Sequence, residues 1–143
     1  MDEGYIQELS AEEKVVFLKM FCVLIKADGE IDNEEINFLK MVAKRYGVDD
    51  ATILQIIKNT SKDLYLPEAR KITNRSHALE LLKELCFLAN IDDNLHDAEL
   101  NVILQVARLT GVEDEKLILI NRFVLDTLIL NKTGRIIMEK ENG

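Results

Sequence analysis

The feature that most constrains the fold of this chain is an internal repeat. When the sequence is shifted by 64 residues, segment 17–57 aligns with segment 81–121 without a gap. Identical pairs include Leu18 and Leu82, Lys19 and Lys83, Cys22 and Cys86, Leu24 and Leu88, Asp28 and Asp92, Glu35 and Glu99, Val42 and Val106, Ala43 and Ala107, Gly47 and Gly111, Val48 and Val112, Asp50 and Asp114, and Ile56 and Ile120. The matched Asp, Glu and Gly positions carry the most weight, because amphipathic helices share apolar spacing by chance. One supersecondary unit used twice is therefore predicted, with pseudo-two-fold packing of the copies.

The spacing of apolar residues predicts an all-α fold. Apolar residues recur at helical spacing almost throughout, and no segment alternates as a strand. We expect a single compact helical domain, residues 1–143, of about seven helices built from two pseudo-symmetric helix-turn-helix repeats. The repeat halves are at about 11–58 and 76–122, with an insert at 59–75 and a polar tail at 132–143.

Two segments are apolar around nearly their whole circumference, which predicts central, buried helices. The first begins after Ser10, which has the capping-box spacing to Glu13, and runs to about Lys26. The second spans 76–89 in the other repeat half. Both contain a cysteine that we expect to be a small buried hydrophobe rather than half of a disulfide or zinc site.

The remaining helices are bounded by recognisable caps. Asp32 can cap the second helix, which ends near Gly47, and Asp49 or Asp50 the third. Pro67 is expected at the start of a short helix in the insert. A further helix should run from about 97 to 109 and end at Gly111, and the last from about 113 to 130. Beyond it, Ile136, Ile137 and Met138 could pack on the domain or on a partner.

The charge balance excludes several partners. Lys and Arg total 18 and Asp and Glu total 26, giving a net charge of −8. Nucleic acids and anionic lipid head groups both select an excess of Lys and Arg, so neither is expected. The N-terminal residues lack the pattern of a signal peptide, and charges interrupt every apolar segment. We expect a soluble cytoplasmic protein with no membrane insertion.

Two acidic turns occupy equivalent positions in the repeat. The first spans Asp28 to Glu35 and the second spans Asp92 to Glu99, each with an Asp after one helix and a Glu seven residues later. Carboxylates gathered at a helix start can bind a hard divalent cation. An ordinary EF-hand is excluded, because its two leading ligand positions would be Leu24 and Lys26.

Helix capping is the alternative interpretation of these turns. It accounts for Asp32 and Glu35 as a capping box, and it accounts poorly for Asp28, which follows a helix C-terminus where negative charge is unfavourable. His96 stands at a cap position and is by itself a weak ligand candidate, because a solvated or capping histidine is the commoner case. The sequence leaves two interpretations of the acidic turns open: helix capping alone, and cation binding.

The sequence contains no residue set that calls for catalysis. The only histidines are His77 and His96, and the six glycines are scattered singly rather than gathered in a phosphate-binding loop. We expect a protein that is not an enzyme.

The two acidic motifs, separated by one helical insert, resemble the TerB-like family, which includes tellurite-resistance TerB proteins and the N-terminal domain of DjlA-type co-chaperones. The resemblance covers about residues 12–130. It rests on Ala27-Asp28-Gly29-Glu30-Ile31 with Glu35, Ile36 and Gly47, and on Asp92, Leu95-His96-Asp97-Ala98-Glu99-Leu100, Ala107 and Gly111-Val112. Asp93 departs from the pattern, since the first motif has Gly29 there. No J-domain signature is present in these residues, so co-chaperone activity is not implied.

The resemblance implies an all-α bacterial module for stress and tellurite resistance, an adaptor or sensor with an acidic surface for a divalent metal. The metal candidates it implies are Asp28, Asp32, Glu35, Asp92, His96 and Glu99. The candidate cofactor is a divalent cation: calcium, magnesium or zinc. The expected partner is a protein, near membrane complexes, and a homo-oligomer is also possible. The alternatives are a metal-dependent hydrolase using the same carboxylates and a purely structural interaction domain.

Overall fold

A computed structural model describes residues 4–91 and 95–142, with the backbone alone for residues 140–142. Within these residues the chain is all-α, as predicted, with seven α-helices, two 3₁₀ helices and no strand. The 3₁₀ helices are Gly4–Glu8 and Leu66–Lys71. The α-helices are α1 (Ala11–Lys26), α2 (Asn33–Arg45), α3 (Asp50–Lys58), α4 (Lys62–Tyr65), α5 (Arg75–Asn90), α6 (Asp97–Thr110) and α7 (Asp114–Asn142).

Helix α1 is the centre of the fold. It begins at the predicted capping box, in which Ser10 Oγ accepts from Glu13 N and Glu13 Oε1 accepts from Ser10 N, both at 3.0 Å. The helix contacts α2, α3, α4, α5, α6 and the second 3₁₀ helix. Its buried residues are Val16, Phe17, Leu18, Met20, Phe21, Cys22, Val23, Leu24 and Ile25. The prediction of a central buried helix is confirmed.

Helix α5 is the second buried helix and packs on α1, α6 and α7. Asn74 caps it, with Asn74 Oδ1 accepting from His77 N at 3.2 Å. The two cysteines, Cys22 in α1 and Cys86 in α5, are free and buried, as predicted. Burial raises the pKa of both thiols to about 12, so both are protonated at neutral pH.

Helices α2 and α6 end with the same backbone motif. Gly47 and Gly111 have φ values of 73° and 77°, in the left-handed region where glycine has no Cβ penalty. After Gly47, Val48 N donates to Ala43 O at 2.9 Å, and the equivalent bond from Val112 is 2.8 Å long. These bonds are those of a Schellman motif. Pseudo-two-fold symmetry between the complete repeat halves stays a prediction.

Helix α7 is longer than predicted. The sequence indicated a helix over 113–130 and then a polar tail, whereas α7 continues to Asn142. Once a helix is nucleated, each added residue contributes one hydrogen bond, and the single Gly134 does not stop it. Residues 129–139 are all exposed, so Ile136 does not pack on its own domain. Among the described helices, none combines the length and apolar character needed to cross a membrane.

A hydrogen bond between two side chains joins the starts of the two central helices. Glu13 Oε2 in the first turn of α1 lies 2.8 Å from His77 Nδ1 in the first turn of α5. Partial burial alone would raise the pKa of Glu13, but the hydrogen bonds from Ser10 and His77 outweigh it and hold the pKa below its usual value. The ionised carboxylate therefore stabilises the fold.

We predict that this contribution is lost in acid. Because the pKa of Glu13 is lower in the folded chain than in the unfolded chain, it is fully present above the unfolded pKa of about 4.3 and disappears as the pH falls through the folded value. In Glu13→Gln, urea unfolding should show a smaller free energy at pH 7 than the wild type, and the difference should shrink towards pH 3. Glu12→Gln, at an exposed position beside it, is the control. A difference that does not change with pH would contradict the prediction.

Candidate metal centre

The first acidic turn joins α1 to α2. Asp28 lies two residues after Lys26, the last residue of α1, and its side chain is 54% exposed. Gly29 has a φ of 141°, a conformation that L side chains rarely adopt, so glycine suits this bend. The chain then enters α2 with Asp32 as N-cap.

The second acidic turn joins α5 to α6. His96 is the N-cap residue of α6, with extended backbone. Glu99 lies in the first turn of α6, and its Oε1 accepts from His96 N at 3.4 Å. Asp92 is the sixth metal candidate predicted from the sequence, and it lies outside the described residues. Asp93 also lies outside them.

The fold brings these two turns into contact. Asp28 Oδ2 of the first turn lies 3.4 Å from His96 Nε2 of the second. One ligand atom each from Asp28, His96 and Glu99 can be chosen so that all three lie within 4.8 Å of one another. We call these three residues the Asp-His-Glu cluster. It contains three of the six metal candidates, one from the first turn and two from the second.

The cluster is close to the size that one cation requires. Two donor atoms that each lie about 2.1 Å from an ion are at most about 4.2 Å apart. Small rotations of these side chains, of which Asp28 is exposed and His96 and Glu99 are partly exposed, would therefore close the set on an ion. Two carboxylates and one imidazole form a mixed oxygen and nitrogen donor set, which zinc accepts and which calcium and magnesium favour less than oxygen alone.

The other two described candidates cap α2. Asp32 Oδ1 accepts from Glu35 N at 2.8 Å, and Glu35 Oε1 accepts from Asp32 N at 3.0 Å. The predicted capping box is therefore present. Each carboxylate has one oxygen in that box, and a ligand role for Asp32 or Glu35 stays a prediction.

The cluster opens onto a cavity of about 270 Å³. This cavity is lined by Ile25, Asp28, Glu34, Glu35, Phe38, Leu88, Ile91 and Glu99. A second cavity of about 230 Å³ is lined by Tyr5, Ile6, Phe21, Phe38, Val42, Arg45, Tyr46, Glu84, Phe87, Leu88 and Ile91. The two share Phe38, Leu88 and Ile91, so we treat them as one groove, with an apolar end and an acidic end.

Sequence reasoning did not identify this groove. Its shared lining comes from α2 and from the end of α5, about 50 residues apart along the chain. Phe38 and Leu88 follow the same helical spacing as core residues, and only the packing of the two helices leaves them partly uncovered. The sequence therefore carried no local signal for it.

Comparison of the chain with protein-family models, curated proteins and solved structures finds no match. The structure therefore defines an all-α domain with a candidate site, which consists of an aspartate, a histidine and a glutamate that could each ligate a metal ion. The resemblance to the TerB-like family rests on the motif residues of the sequence, and the function it implies is a proposal.

We predict that one acid of the first turn stabilises the fold and that another does not. Asp32→Ala removes a side-chain cap and should lower the free energy of unfolding by about 0.5 to 2 kcal/mol. Asp28→Asn should change it by no more than about 0.5 kcal/mol, because an exposed negative charge beside a helix C-terminus contributes nothing favourable there. Urea denaturation without added metal measures both. Equal losses would show that Asp28 is also a structural residue.

Proposed function

We propose that this chain is a non-enzymatic, TerB-like stress-response module that acts as an adaptor or sensor by binding a divalent cation between its two acidic turns. The observation that carries the proposal is the convergence of Asp28 with His96 and Glu99. Asp28 and His96 are 68 residues apart in the sequence, and one ligand atom from each of the three residues lies within 4.8 Å of the other two. Capping explains Asp32 and Glu35 but offers no reason for Asp28 to face His96.

The location of the cluster supports a sensor role. A bound ion would link the α1–α2 turn to the α5–α6 turn. Asp28 and Glu99 also line the acidic end of the groove, so an ion there would change the charge that the groove presents to a protein partner. Ion binding and partner binding would then be coupled, and each would change the affinity of the other by the same factor.

The donor set favours zinc among the three candidate ions. Imidazole is a good ligand for zinc, and carboxylates complete many zinc sites. Calcium takes six to eight oxygen ligands and magnesium keeps a near-octahedral oxygen shell, so both would leave His96 unused. We therefore expect zinc to bind more tightly than calcium or magnesium.

We predict a saturable heat when zinc is titrated into the full chain in a calorimeter. Asp28→Asn and His96→Ala should each weaken binding at least about tenfold, the range seen when residues around a metal site are replaced. Glu30→Gln is the matched control, because Glu30 is an exposed acid of the same turn outside the cluster. Binding should weaken on acidification, since protons compete for the ligand atoms.

Two outcomes would overturn the metal part of the proposal. One is the absence of saturable heat with zinc, calcium and magnesium. The other is a heat that the Asp28→Asn and Glu30→Gln variants reduce equally, because that would indicate diffuse attraction to a chain of net charge −8 rather than a site.

A metal-dependent hydrolase is the second candidate, favoured by the opening of the cluster onto the groove. Catalytic zinc sites have three protein ligands and a water, whose pKa the ion lowers. The two candidates differ in turnover. A hydrolase loaded with zinc should cleave nitrophenyl esters or phosphates faster than free zinc and lose this activity in Asp28→Asn. Under the adaptor proposal, the loaded protein shows no excess over free zinc.

A further inference from the structure

The C-terminal part of α7 exposes an apolar surface. Residues 129–139, which we call the α7 end, are exposed throughout. Five large apolar side chains in it are about half exposed or more: Ile129, Leu130, Ile136, Ile137 and Met138. Contiguous apolar surface of this kind marks an interaction site in most folded proteins.

The α7 end projects past the helix on which α7 packs. Near the start of both helices, Arg75 Nη2 of α5 lies 2.7 Å from Glu113 Oε2. At the end of α5, Asn90 Nδ2 donates to Asn121 Oδ1 at 3.1 Å. Helix α7 then continues for 21 residues to Asn142, roughly 30 Å at 1.5 Å per residue. Among the described residues, none of α7 lines the groove, and residues 129–139 are all exposed, so the α7 end of the same molecule does not cover the groove.

The α7 end is an amphipathic surface with positive charges beside an apolar ridge. Ile129 and Ile136 are seven residues apart and share one helix face. Lys132, three residues after Ile129, lies beside that ridge, and Arg135 follows next to it. Glu139 is the one acid among residues 129–139.

The groove is the complement of this surface. Its shared floor is apolar and consists of Phe38, Leu88 and Ile91. Five acids line it, and one cation, Arg45, lies at the apolar end. The acids are Asp28, Glu34, Glu35, Glu84 and Glu99. An apolar helix ridge with basic neighbours fits an apolar groove with acidic edges, which is the helix-in-groove mode of recognition.

Pairing of α7 with α7 of a second copy fits less well. The apolar row Ile118, Leu125, Ile129 and Ile136 has coiled-coil spacing, but Arg122 and Lys132 occupy the positions that complete it. In a parallel pair, Arg122 of one molecule lies opposite Arg122 of the other, and the two copies of Lys132 likewise lie opposite each other. In an antiparallel pair that sets Leu125 against Ile129, Arg122 faces Lys132. Both arrangements place like charges in the seam.

We propose that the α7 end of one copy docks into the groove of a second copy. The ridge of Ile129 and Ile136 covers the apolar floor, while Lys132 and Arg135 meet the acidic edges. The contact is heterologous, so a closed dimer contains it twice, and each partner should bury about 800 Å² to be stable. The contact needs no bound ion, so a result against the metal proposal would not be a result against this contact.

Sedimentation velocity of the full chain with a chelator present, over a broad concentration series, tests this contact. The wild type should form dimers or larger species as its concentration rises. Ile136→Lys on the helix and Ile91→Lys in the groove should each raise the dissociation constant at least about tenfold. Both positions are exposed, at 47% and 66%, so the fold should survive, and circular dichroism checks this.

Ile118→Lys is the matched control. Ile118 is 66% exposed on α7 but precedes the α7 end, so its substitution should leave association unchanged. A mixture of the Ile136→Lys and Ile91→Lys variants should associate more tightly than either variant alone, because one supplies an intact groove and the other an intact α7 end.

Three outcomes would overturn the proposal. The first is a wild type that is monomeric at every concentration. The second is association that Ile91→Lys does not weaken, which would exclude the groove. The third is a loss in Ile118→Lys equal to that in Ile136→Lys, which would indicate pairing of α7 with α7 instead.

Discussion

The burial of α1 is the constraint on which the rest of the structure depends. A helix that is apolar around nearly its whole circumference must be covered on most sides, and five helices and a 3₁₀ helix contact it. One of them, α5, has the same length of 16 residues. The 2.8 Å contact between Glu13 and His77 sets the first turns of α1 and α5 side by side. Beyond the other ends of the two helices, Asp28 Oδ2 lies 3.4 Å from His96 Nε2.

The net negative charge of the chain is not spread evenly over its surface. Part of the excess of 26 acids over 18 bases lies in the two acidic turns and along the groove. The exposed α7 end carries the cations Lys132 and Arg135. A folded chain with an acidic groove and a basic, apolar helix end carries two surfaces of opposite charge on one molecule. The acidic turns are where a cation could change the first of these surfaces.

Local signals in the sequence predicted the elements of the fold well. The caps at Ser10 and Asp32 were correct because a capping box involves only residues three apart. Gly47 and Gly111 marked helix ends because the left-handed conformation is a local property. The predicted end of α7 was wrong. The polar residues after Leu130 resemble a non-helical tail in sequence, but they do not interrupt the helical hydrogen bonds. The candidate site was predicted as a set of ligands, and Asp32 and Glu35 in that set turned out to form the cap.

The sequence by itself determined the all-α class, the two buried helices, the helix caps and the presence of two acidic turns, because each of these depends on spacing within about one or two helical turns. Only the tertiary structure decided which acids meet. Asp28 and His96 are 68 residues apart in the sequence, and only the packing of the helices brings their side chains to a separation of 3.4 Å. The groove and the exposed α7 end were decided in the same way, since a helix face is covered or uncovered according to the length and direction of its neighbours, which no local spacing records.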